Sequence, residues 1–271
     1  MALQPRGSWQ MPPGMTPPKE PMFNLPTSVM VLAGIMLAIQ AAQSFFLSFD
    51  QREWLILSFS FLPVRYGAAA QVFSFPGGVL GDIWTFVTYA FLHGGWMHVI
   101  LNVVWMMIFA TVIVRRIGNF NFAIFFVITA AAGALVHLVI HFGSQAPLVG
   151  VSAVLSGAMA ASARFAFNGG MGGFSGLQGV NRYPCLSLKG LRRNPQAMGF
   201  LGIWLVLNLV FGMFSILGGG ATIAWEAHLG GFIAGLLIFP YLDPYSRPPR
   251  KPKPPKKDPP KKRPDHLKVI K

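Results

Sequence analysis

Ser152, His228, His98 and Asn102 are strongly polar residues set in long apolar runs. In a membrane such groups are costly, so each marks a candidate site. A serine hydroxyl becomes a nucleophile when a base takes its proton, and a neutral imidazole can do so. Ser152 follows Pro147-Leu148-Val149-Gly150-Val151 and opens a run of small residues. The first N–H groups of a helix have no intrahelical partners. A serine there can offer its own N–H to a developing oxyanion, with the helix dipole in support. Gly150 leaves room for a substrate backbone to approach. His98 and Asn102 stand four apart, on one helix face, and supply two further donors for the same charge. His93 lies near the start of that run.

Each of these residues also has a purely structural reading. His93, His98 and Asn102 fit a hydrogen-bond network that ties a loop to a helix. Ser152 fits helix packing, as do the nearby Gly157, Ala160 and Ala161. His228 fits a polar residue satisfied by a neighbouring helix. Gly231 and Gly235 form a G-x-x-x-G strip just beyond His228. If that strip meets the small-residue face after Ser152, hydroxyl and imidazole come within reach.

Three other features bear on the chemistry. Ser156-Gly157 is a rival nucleophile one turn deeper; it lacks a glycine two residues before it. Glu226 is two residues before His228 and therefore roughly 200° around a helix, poorly placed as a third catalytic member. His137 and His141 stand four apart, but Leu138 occupies the position where a zinc-protease helix carries glutamate, so no metal is assigned.

These residues need membrane helices to hold them. Hydrophobic residues make up 53% of the 271 and charged residues only 11%. Soluble domains carry about 25% charged residues. The apolar residues form six runs: 27–48, 96–114, 120–140, 148–167, 197–217 and 221–242. Residues 50–95 are too interrupted to span and read as a structured loop. The expected fold is all-α: a polytopic six-helix transmembrane bundle with a long structured loop between its first two helices.

The net charge of +14 invites a nucleic-acid reading, but position argues against it: 11 of the 22 Lys and Arg lie in 247–271. This Pro/Lys-rich tail, 243–271, fits an extended segment near anionic lipid. Residues 1–26 contain seven prolines and read as a disordered arm. The connections around 114–120 and 168–195 are basic, whereas 141–147 and 218–220 have no Lys or Arg. That alternation puts both termini in the cytoplasm. The single cysteine, Cys185, excludes an internal disulfide.

Taken together, His93-x4-His98-x3-Asn102, Gly150-x-Ser152 and Ala227-His228-x-x-Gly231-x-x-x-Gly235 resemble the rhomboid family of intramembrane serine proteases. The resemblance covers about 27–242. It implies Ser152 as nucleophile and His228 as general base, a dyad without Asp. It implies the Ser152 N–H, His98 and Asn102 as the oxyanion site, with His93 supporting the loop and Gly150 shaping the site. It implies single-span membrane-protein substrates, a bacterial cell membrane, and no cofactor. Two positions depart from the family pattern. Ala153 stands where Gly usually follows the nucleophile, and Trp84-Thr85 stands where Trp-Arg is common, which puts loop anchoring in question. Two other function classes are distinguishable. A non-catalytic relative that escorts clients typically lacks Ser or His. A transporter predicts an internal repeat, and none is evident.

Overall fold

The computed structural model describes residues 25–67, 72, 74–167, 184–218 and 223–246. The arm before residue 25, the tail from 247, the middle of the basic loop at 168–183 and the turn at 219–222 lie outside them. Among the described residues eight α-helices follow in order: α1 Thr27–Ala41, α2 Phe49–Phe59, α3 Gly78–Thr88, α4 Trp96–Ile140, α5 Ser152–Ala166, α6 Leu188–Arg192, α7 Pro195–Gly218 and α8 Trp225–Leu242. Among the described residues three stretches are long and apolar enough to cross a membrane: Thr27–Phe46, Trp96–Ile140 and Trp225–Leu242. The chain is an all-α polytopic membrane protein.

A straight helix of 45 residues would be about 68 Å long, more than twice the hydrocarbon thickness. Gly118 breaks α4 instead, at φ 78 and ψ 168, a conformation open to glycine. The two limbs, 96–117 and 119–140, each suit one span. At one end of the bundle, Arg116 forms a buried two-point pair with Asp243, at 3.1 and 2.8 Å. Beside it, Asn121 Nδ2 donates to the Leu242 carbonyl at 3.1 Å. Asp243 is therefore packed on the helices, although the sequence reads it as the start of the tail. A buried carboxylate needs a cation, and Arg116 supplies it.

The fourth helix differs from expectation. The apolar run starts at Leu148, but α5 starts at Ser152. Gly150 at φ 110 and a bridge between Leu148 and Phe61 hold the preceding residues out of the helix. With 15 residues α5 is about 22 Å long, shorter than the bilayer core. All its residues except Ser152, Met159 and Ala166 are buried. Such a helix is enclosed by its neighbours, and its small residues let them come close.

The long loop braces the start of α5. Phe61 and Leu148 exchange backbone hydrogen bonds of 3.2 and 2.9 Å, and the Gly150 N–H donates to the Tyr89 carbonyl at 3.0 Å. Inside the loop, Arg65 is the anchor: it donates to Asp82 at 3.1 Å and to the Pro76 and Leu57 carbonyls, with its guanidinium 4.9 Å from the Phe75 ring centre. Trp84 donates to the Ser58 carbonyl at 2.8 Å. Thr85 is wholly buried. Through Asp82 and the Pro76 carbonyl, Arg65 ties down the segment that carries Thr85.

Candidate active site

Ser152 is the first residue of α5, and His228 lies in the first turn of α8. The structure brings them together: Ser152 Oγ is 2.8 Å from His228 Nε2. The meeting depends on glycine. A Cβ at Gly231 would run into the Ala153 carbonyl, and one at Gly235 into the Gly157 backbone. A Cβ at Gly157 would lie 2.7 Å from the Gly231 carbonyl oxygen. The G-x-x-x-G strip therefore packs backbone to backbone against α5, directly below the Ser–His pair.

The donors converge on Gly150. A Cβ there would lie 2.8 Å from His98 Nε2 and 3.7 Å from Asn102 Nδ2. The missing side chain and the φ of +110 keep this space open beside Ser152. His98 Nδ1 accepts from the Gly94 N–H at 3.4 Å, which leaves Nε2 to carry the proton. His98 Nε2–H and the Asn102 amide thus line the space at Gly150, two residues before the uncapped Ser152 N–H. That arrangement can stabilise an oxyanion. His93 stands edge-on to His98, with ring centres 5.0 Å apart. Burial first, and His98 second, push His93 down to about 4, so it is neutral and buttresses the donor ring.

A third group completes the arrangement. His228 Nδ1 lies 2.8 Å from Asn208 Oδ1 on α7. Asn208 Nδ2 donates to the Trp225 carbonyl at 3.1 Å. That second bond fixes the amide's orientation, so Oδ1 faces the imidazole as an acceptor. His228 must then carry its proton on Nδ1, which leaves a bare Nε2 toward Ser152.

The family model for rhomboid domains matches residues 80–244, more than half of the chain. The chain belongs to the rhomboid family. Members of this family are intramembrane serine proteases, so this rhomboid is a hydrolase of peptide bonds embedded in a membrane and acting on membrane proteins. No curated protein matches it.

In this rhomboid Ala153 is accommodated by a glycine elsewhere. A Cβ at Gly133 would lie 2.7 Å from the Ala153 methyl. The extra carbon at 153 fills the space that Gly133 leaves. Ser156 is 5% exposed and donates to the Ser152 carbonyl at 2.8 Å, so its hydroxyl is spent inside its own helix. Glu226 points away from the Ser–His pair, toward His137 and His141. The sequence reading missed Asn208, although a polar residue within Phe200–Val210 carries the same signal of cost that singled out His228. It also missed the meeting of Glu226 with the two histidines, 89 residues from His137 along the chain.

Proposed function

We propose that this rhomboid cleaves a peptide bond in or near the transmembrane segment of single-span membrane proteins, with Ser152 as nucleophile and His228 as general base. The observation that carries this reading is the 2.8 Å contact between Ser152 Oγ and a His228 whose other nitrogen is held by Asn208. His228 Nε2 takes the Ser152 proton as Oγ attacks the carbonyl carbon. The oxyanion draws on the Ser152 N–H, His98 and Asn102. The imidazolium returns its proton to the leaving amine, and the C–N bond breaks to leave an acyl-serine. Water then attacks that ester, gives a proton to His228, and Ser152 leaves with it. Because α5 is shorter than the bilayer, its first residue can sit within the membrane thickness and meet a bond there.

The rest of the reading follows the charge pattern. Six apolar runs with Lys and Arg on alternate connections support a topology with both termini in the cytoplasm, here proposed for a bacterial cell membrane. The arm before residue 27 and the basic tail flank the span domain, and the tail rests on anionic lipid. In proteoliposomes with a single-span substrate, Ser152→Ala is expected to lose about 10⁴-fold or more of the cleavage rate. Ser156→Ala should stay near wild type. Cleavage undiminished in Ser152→Ala, or lost in Ser156→Ala alone, would move the nucleophile elsewhere.

Asn208 serves as a positioning residue, acting through His228. Asn208→Leu leaves the Nδ1–H without its acceptor, a loss of about 1–3 kcal/mol, or roughly 5- to 150-fold in kcat. KM should hardly move, since Asn208 makes no substrate contact in this reading. Asn208→Asp, which keeps an acceptor, should recover part of kcat. A fall in melting temperature with kcat intact would assign Asn208 to the fold alone.

A further inference from the structure

The geometry points to a binding site for one divalent transition-metal ion, zinc by its donor set, formed by His137, His141 and Glu226 and separate from the Ser152–His228 pair. His137 and His141 stand one turn apart at the end of α4, and Glu226 comes from the first turn of α8. The Glu226 Oε1 atom is 2.6 Å from His137 Nδ1 and 3.2 Å from His141 Nε2. One ligand atom from each of the three residues lies within 4.8 Å of the others.

The chemistry selects the ion. Two imidazoles and one carboxylate form the ligand set of open zinc sites, in which water takes the fourth position. Magnesium and calcium prefer oxygen ligands throughout. Tetrahedral zinc holds its ligands about 3.3 Å apart. The His141–Glu226 separation of 3.2 Å already matches that spacing. The 2.6 Å between His137 and Glu226 must open by about 0.7 Å, within reach of side-chain rotation. Both ring nitrogens lie within hydrogen-bond or ion-pair distance of a single carboxylate oxygen, so the three donors already converge on one point. The side chains of Glu226 and His137 are 2% and 8% exposed, whereas that of His141 is 43% exposed. Two ligands are thus held by packing, and the third stands at the surface where an ion enters.

The place in the fold gives the ion a role. Glu226 and His228 share the first turn of α8 and point to opposite sides of it. An ion on Glu226 would clamp α8 to α4 two residues from the base, on the face that does not touch Ser152. Its effect is on the rigidity of the helix that carries His228, while the hydrolytic steps need no metal.

The test uses the full chain, purified in detergent with a histidine-free affinity tag and treated with a chelator. Zinc is titrated against a competing chromophoric chelator, and melting temperature is followed in parallel. Wild type should bind one zinc per chain and melt higher with it. His141→Ala, at the exposed ligand, should fold, lose that zinc and lose the thermal gain. His98→Ala should keep both. Cobalt in place of zinc should give the intense visible bands of a tetrahedral site in wild type and none in His141→Ala. Absence of zinc binding to wild type would overturn the site. So would equal binding by His141→Ala, or binding lost in His98→Ala and kept in His141→Ala, which would put the ion at the catalytic histidines.

Discussion

His228→Ala should silence Ser152 while leaving it in place. With a fluorophosphonate probe, wild type is expected to be labelled at Ser152 and His228→Ala to show no labelling there, mapped by mass spectrometry. Peptide cleavage should fall about 10⁴-fold or more. A serine hydroxyl is a weak nucleophile until a base accepts its proton. His228 Nε2, at 2.8 Å, is the base placed to do so. Residues that act as one unit are not additive. The Ser152→Ala/His228→Ala double variant should therefore be no slower than either single variant. A double variant slower by the product of both effects would mean that the two residues work independently. Persistent Ser152 labelling in His228→Ala would mean that another group activates the serine. His98, whose ring lies beside Gly150, is the rival, and its Nδ1 already accepts from the Gly94 N–H.

Much of this site was legible because its residues violate the rule of their surroundings. A serine, two histidines and an asparagine inside apolar runs are visible to a reader who asks what each costs in lipid. Gly231 and Gly235 were legible for the opposite reason: glycine has little to recommend it in a helix unless another backbone must come close. What the sequence hid are pairings between distant segments. Asn208 has the same character as His228, but nothing in its own run says which helix it faces. Glu226 was correctly set aside from the base by helix geometry, yet its partners His137 and His141 lie on another helix. The start of α5 was misread by four residues because hydropathy sees Leu148 and Val149 as span. In the structure Leu148 pairs with Phe61, and Gly150 turns the chain before the helix begins. Nothing in the local sequence marks Arg65 as the residue whose four contacts tie the loop together.

The contact between Gly231 and α5 makes a sharper demand on the site than any hydrogen bond in it. Gly231→Val is expected to cut proteolysis about 100-fold or more even though the variant retains Ser152, His228, Asn208 and both donor residues. At this position the first added carbon already overlaps the Ala153 carbonyl, and the next neighbour, Ala153 Cα, is 3.0 Å away. These are backbone atoms, so no side chain can rotate aside. The strain must be relieved by moving α8 away from α5. Overpacking of this kind costs about 1–3 kcal/mol and occasionally more. The functional loss is larger than that figure suggests. His228 precedes Gly231 by less than one turn, so an outward shift of α8 carries the imidazole with it. A displacement near 1 Å turns a 2.8 Å hydrogen bond into a gap too wide for one. Such misplacement alone costs about 100-fold in rate. Melting temperature and Ser152 labelling measured together separate the two effects. A fall of a few degrees with labelling nearly lost is the expected pattern. A control substitution at Gly202, where an added Cβ meets nothing within 4 Å, should change neither. If Gly231→Val labels and cleaves like wild type, the close backbone contact between α5 and α8 does not set the distance between nucleophile and base.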